Sequence, residues 1–161
     1  PTALLIVLLV VAASVAALTL LALFQKGVLA ALKGPLSARV RVRYPDEAQV
    51  LAADYGANSF GLESKGKLQL RGNGALVLTP NELRFFQYMP ESEIEIPLAK
   101  ITEISFVRSH LGKATPYRLL KVQFAGQAGP DSIAVFVRDP DGMRAQLEQA
   151  RIATSKSSTQ S

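Results

Sequence analysis

The chain has 161 residues, a net charge of +5 at pH 7, a pI near 9.7 and no cysteine. That length suits one membrane segment and one domain of ordinary size and excludes two full domains. The lack of cysteine excludes a disulfide framework, thiol nucleophiles and thiolate metal sites.

Hydrophobic residues make up 48% of the chain and are concentrated at its start. Ala3 to Phe24 carries no charge and only Ser14 and Thr19 as polar side chains. As a helix this run reaches about 33 Å, enough to cross a hydrocarbon core of roughly 30 Å. Its fourteen Leu, Ile, Val and Phe residues favour insertion by about 6 kcal/mol at roughly 0.4 kcal/mol each. A cleaved secretory signal is the rival reading, since Ser14-Val15-Ala16 resembles a small-residue cleavage site. However, no basic residue precedes the run, and apolar residues continue beyond the cut. A retained anchor is expected, and Pro1 as first residue agrees with a chain trimmed of its initiator methionine.

Lys26, Lys33, Arg39, Arg41 and Arg43 all follow the run and precede the first acid, Asp46. The positive-inside bias therefore places the N-terminus outside and the C-terminal domain in the cytoplasm, under the inner or plasma membrane. Ala12, Ala13, Ala16 and Ala17 form a small-residue patch at helical spacing, suited to packing against another transmembrane helix. Lys26 and Lys33 can snorkel to the interface while Gly34-Pro35 ends the helix. The predicted organisation is a transmembrane helix with its juxtamembrane extension over 1–34, a soluble domain over 35–153 and a flexible tail over 154–161.

Beyond Ser37 the apolar period becomes twofold, with Ala38, Val40, Val42 and Tyr44 on one face and Arg39, Arg41 and Arg43 on the other. This predicts a strand with a basic outer face. Residues 46–66 fit either a short helix or a bent strand. Lys67 to Arg71 and Ala75 to Thr79 alternate on either side of Gly72-Asn73-Gly74, predicting a hairpin. Strands are then expected over Leu83–Tyr88, Glu93–Ile96, Arg118–Phe124 and Ser132–Val137, with a polar loop over His110–Tyr117. Asp139-Pro140 opens a helix, the carboxylate accepting otherwise orphaned amides, and Met143, Leu147 and Ala150 mark its apolar face. From Thr154 the Ser-rich tail is expected to be mobile.

About seven short strands in up-and-down succession, closed by one amphipathic helix, resemble the pleckstrin-homology-like superfold, above all its bacterial PH-like and GRAM-type members. The resemblance is carried by "GALVLTPNELRFF", "EIEIPLAKITEI" and "FVRDPDGMRAQLEQA" and covers Gln49 to Ile152. The family's aromatic residue near the middle of the last helix is missing, and the chain has no tryptophan. The resemblance implies a mainly β barrel that binds something near a membrane rather than one that performs chemistry.

The residues agree with that implication. His110 is the sole histidine; adjacent to Ser109 it would need a third, buried orienting group, for which Asp131 and Asp139 are the candidates, and a hydrolase centred there is the weakest reading. Glu91, Glu93 and Glu95 share one strand face and are read as solvated rather than as a cation site. No metal, cofactor or nucleic acid is expected, since the basic residues are interrupted by acids and lack an aromatic ladder. Three basic groups are candidates for lipid or partner contact: Arg39, Arg41 and Arg43; Lys65, Lys67 and Arg71; and Arg108, His110, Lys113 and Arg118. The second group occupies the place where lipid-binding PH domains carry a Lys/Arg cluster. The expected function is that of a non-enzymatic, membrane-anchored accessory or scaffolding subunit whose domain docks on a neighbouring integral membrane protein. Recognition of anionic lipid headgroups is the alternative.

Overall fold

In a computed structural model, residues 11, 12, 14–20 and 34–159 are described. The chain divides into two compact units, Pro1–Pro35 and Leu36–Ser161. In the first, residues 11–12 and 14–20 are helical and exposed, and Thr19 donates its hydroxyl to the Val15 carbonyl at 2.8 Å. Most of the expected span, including Ala13, lies outside the described residues. Among those described, no helix is long and apolar enough to cross a membrane.

The second unit is an antiparallel sheet of seven strands: β1 Ala52–Leu62, β2 Gly72–Leu78, β3 Glu82–Gln87, β4 Ser92–Pro97, β5 Ile101–His110, β6 Lys113–Ala125 and β7 Pro130–Phe136. The spatial order is β4-β3-β2-β1-β7-β6-β5. The count agrees with the expected seven, but not every member does: the expected strands over 38–44 and 67–71 are absent, and β1 and β5 stand in their place. They form a curled half-barrel, with β4 and β5 as its two ends. β1 makes the curl possible: it pairs with β2 from Ala52 to Ser59 and with β7 from Asn58 to Leu62, with register shifts along both ladders. The C-terminal helix, Pro140–Thr159, packs Met143, Leu147 and Ala150 onto the concave core beside Leu98, Ile101 and Ile104. Asp139 begins it as expected, accepting from the Gly142 amide at 2.9 Å. Instead of fraying into a tail at 154, the helix runs to Thr159, and the Thr154 hydroxyl donates to the carbonyls of Ala150 and Pro80 at 3.0 Å.

Three further expectations need correction. Residues 34–43 are helical, where a strand following a Gly-Pro stop was expected. This helix is designated α1 and the C-terminal one α2. Leu36, Val40 and Tyr44 recur every fourth residue and therefore satisfy a helical face as well as a strand face. Val42, inward in a strand, is 85% exposed. Leu36, Val40 and Tyr44 are buried against Ala75, Val77 and Phe86 on the convex face of β2 and β3, so that both strands are covered on both sides.

The Gly72-Asn73-Gly74 turn is not a turn. All three residues lie within β2, and Lys67 to Arg71 is a loop rather than a strand. A β-carbon on Gly74 would run into the carbonyl oxygen of Phe86 and stand 2.7 Å from the Phe85 ring. That glycine serves close strand approach. The polar loop expected over His110–Tyr117 is a hairpin: β5 turns into β6 through Leu111 and Gly112 alone, at φ of 52° and 77°. Two consecutive positive φ values suit the tight turn that matches strand twist. The ambiguous stretch from 46 holds a 3₁₀ turn over Glu47–Gln49 and then β1, which sequence periodicity did not reveal.

Candidate functional site

The first basic group divides according to α1. Arg39 lies on the sheet side, donating to the Gln87 carbonyl at 2.7 Å and pairing with Glu93 at 3.3 Å. Arg41 and Arg43 are exposed. Beneath the helix, Arg84 points outward from β3 into a buried polar cluster. Its guanidinium meets Glu82 at 2.9 Å and Glu93 at 2.8 Å, and also bonds Glu95. The acidic face read as solvated is therefore partly neutralised from within by Arg84 and Arg39. Tyr44 donates to Glu82 and accepts from Arg84 at 3.1 Å. Burial, then the Glu82 hydrogen bond and charge, pushes the Tyr44 phenol up to about 12. Burial alone would raise the Glu82 carboxyl as well, but hydrogen bonds from Arg84 and Tyr44 outweigh it and hold the group below its ordinary value.

The second and third groups come together where the β1–β2 loop meets the β5–β6 hairpin. Lys113 reaches from the hairpin to the Phe60 carbonyl at 3.1 Å and also bonds the Gln69 carbonyl. Arg71 returns the contact, donating to the Ala114 carbonyl at 3.2 Å with its guanidinium 4.3 Å from the centre of the Phe60 ring. His110 is buried, its Nε2 placed 3.0 Å from the Gly61 carbonyl, which requires the proton on that nitrogen. Burial depresses its pKa despite that hydrogen bond, and Lys121 and Lys113 add to the effect. A ring so placed braces the hairpin.

Lys65, Lys67 and Arg108 are exposed. Arg118 belongs elsewhere, pairing with Asp141 at 2.5 Å and lying 4.8 Å over the Phe106 ring. Of the transmembrane packing candidates, Ala12, Ala16 and Ala17 are helical and exposed. Among the described residues, no cluster of three or more acidic, His or Cys residues could hold a metal.

Sequence reasoning missed two features. One is a hollow of about 270 Å³ over the convex face of β1 and β7, lined by Phe60, Tyr117, Phe136, Arg71 and Asn58. Among the described residues, the Asn58 Oδ1 atom is buried without a hydrogen-bond partner there. The other is the pair Leu68 and Leu70, which are 98% and 90% exposed between Lys67 and Arg71. Their alternation with Lys67, Gln69 and Arg71 suggested a strand and concealed them. The available signal was the glycine on each side, Gly66 and Gly72, which also marks a loop.

The curled antiparallel sheet, with its strand order and C-terminal helix, supports a pleckstrin-homology-like fold. No protein-family model matches the chain, and no curated protein matches it in sequence. Among solved structures, the C-terminal domain of an unknown protein from Leishmania infantum is similar over 72% of this chain and 97% of its own, at 15% identity and a TM-score of 0.51. A chain of the 8S snRNP assembly intermediate is similar over 66% of this chain and 85% of its own, at 12% identity and a TM-score of 0.53. The N-terminal PH domain of Vps36 covers 66% of this chain and 81% of its own, at 16% identity and a TM-score of 0.44. At such identities the likeness of the first two concerns the fold alone, and the third carries no argument.

Proposed function

We propose that the protein is a membrane-anchored, non-enzymatic accessory subunit of the GRAM-like kind. In this reading Ala3 to Phe24 holds it in the cell membrane, and the PH-like domain docks on a neighbouring integral membrane protein at the cytoplasmic face. The observation that carries this reading is the burial of α1 in the domain. Leu36, the first residue of the unit, is only 3% exposed, and Val40 and Tyr44 continue the same contact. The domain is therefore ordered from its first residue. Chain arriving at Leu36 enters the domain at a fixed point, and a domain kept within short reach of the bilayer suits a partner in the same membrane better than a diffusing one. The bracing role of His110 also favours a binding scaffold over a hydrolase.

The test is purification of the full chain from its native membranes in mild detergent, with cross-linking before extraction. Co-migration with a second integral membrane protein is expected. Recovery of a lone monomer at every step, with no cross-linked species, would overturn the reading.

A further inference from the structure

β1 is paired along only part of one side. β2 accompanies it from Ala52 to Ser59, whereas β7 meets it only from Asn58 to Leu62. Among the described residues, the edge of 52–54 that faces away from β2 therefore has no neighbouring strand. An edge of that kind carries unpaired amides and carbonyls. Ala52 packs toward the concave core and Ala53 is exposed, as alternation along a strand requires. Both nevertheless border one hollow of about 320 Å³, so it is the backbone edge that opens into it. Past Gln146 the hollow continues into a second of about 490 Å³, bordered by Leu51, Pro80 and Asn81.

The opposite wall is α2, through Gly142, Gln146, Gln149 and Ala153. At helical spacing this flank is the reverse of the one that turns to β5, where Arg144 lies 5.2 Å over the Phe106 ring and Arg151 donates to the Ile101 carbonyl at 3.4 Å. From Gly142 to Thr154 the wall extends about 18 Å, the length of about five extended residues. One end is closed by Asp54, which accepts from the Arg138 amide at 2.7 Å and from its guanidinium at 3.0 Å. The other is closed by the Thr154 hydroxyl on the Pro80 carbonyl at 3.0 Å. Among the described residues, no charged side chain borders the larger hollow, and the carboxamides of Asn81, Gln146 and Gln149 have no partner within the protein. A carboxamide both donates and accepts and so matches a peptide group, whereas a charged ligand would find no counter-charge there.

We propose that this groove takes an extended, uncharged segment of a partner protein, added as a strand to the free edge of β1 while Asn81, Gln146 and Gln149 meet its outer peptide groups. Because α2 walls the edge, a single strand enters and a whole sheet does not. For the source of the segment the inference rests on the accessory reading above; for the groove it does not.

The probe is a degenerate pool of acetylated, amidated heptapeptides of Ala, Val, Thr, Ser and Asn, presented to the full chain in mild detergent. Saturable binding and slowed hydrogen exchange at the amides of residues 51–54 are expected. Ala153→Trp fills the groove from an exposed helical position and should weaken binding about tenfold or more. In the selected peptides, N-methylation of alternate residues should abolish binding in the frame that faces β1 and only weaken it in the frame that faces the carboxamides. No saturable binding, or equal effects of the two frames, overturns strand addition. An Ala153→Trp chain that still cross-links to its membrane partner also overturns the inference, and leaves the accessory reading standing. A chain that binds the pool yet leaves its membranes as a lone monomer keeps the groove and overturns that reading.

Discussion

The phenol oxygen of Tyr44 lies 3.1 Å from Nε of Arg84, joining a helix to a strand forty residues away through a guanidinium that is only 5% exposed. Arg84 is fully engaged by Glu82, Glu93, Glu95 and Tyr44, which is the condition under which a buried charge is tolerable. Because Arg39 shares Glu93, the same cluster holds α1 on the sheet.

Arg84→Met should therefore destabilise the domain by roughly 3 kcal/mol, since it leaves carboxylates facing one another beneath α1 without their cation. Urea unfolding gives the figure. A loss below about 0.5 kcal/mol would mean that the cluster behaves like exposed surface pairs.

Two groups set opposite limits on stability against pH. The Tyr44 phenol is raised to about 12 by burial and Glu82. Between its ordinary value of 10.0 and about 12, the unfolded chain loses this proton while the folded chain keeps it. Stability is therefore intact below pH 10 and falls as pH rises through that window, more steeply in the parent than in Tyr44→Phe. His110 is depressed below its ordinary 6.5, chiefly by burial. Below that pH the unfolded chain takes up a proton that the folded chain refuses, so stability falls as the solution is acidified until the folded imidazole also protonates. His110→Gln should flatten this slope. Thermal unfolding across the pH range measures both limbs, and parallel curves for parent and variants would refute the assignments.

Two glycines should respond differently to alanine. Gly74→Ala places a methyl group against the Phe86 carbonyl and the Phe85 ring, both in the packed interior of the sheet. A loss of about 3 kcal/mol or failure to fold is expected. Gly112→Ala meets open space and is strained only by its positive φ of 77°, at a cost of about 1 kcal/mol. Denaturant midpoints of the two variants should differ accordingly, and equal midpoints would contradict the close approach of β2 and β3.

Val40→Asp sets a carboxylate against Val77 and Phe86 and should release α1 while leaving the concave core intact. Hydrogen exchange should accelerate over residues 37–44, with amides of β6 and β7 unchanged. Uniform protection in both proteins would mean that α1 is held by something other than this apolar face.

Some of this architecture was legible in the residues because local chemistry and tertiary context agree there. Asp139-Pro140 is a favoured helix start through local chemistry alone, and Met143, Leu147 and Ala150 then have one sensible destination. The alternation through Leu83–Ile96 similarly survives as β3 and β4. Other stretches carried patterns compatible with two structures. Leu36, Val40 and Tyr44 fit a helix and a strand equally well, and only the apolar convex face of β2 and β3 selects the helix. Gly72-Asn73-Gly74 has the composition of a turn, yet the proximity of Phe85 and Phe86 makes it the tight middle of a sheet.

The same division holds for the candidate site. Charge counting located Arg39, Lys113 and Arg118, but distance decides that each is engaged within the domain, by Glu93, by the Phe60 and Gln69 carbonyls, and by Asp141. By itself the sequence determined β3, β4 and the centres of β6 and β7, the capped C-terminal helix and the concentration of hydrocarbon at the start of the chain, because these depend on short-range periodicity and composition. Only the tertiary structure decided which cations remain exposed and which leucines stay in water, because burial depends on residues far apart in sequence being brought together.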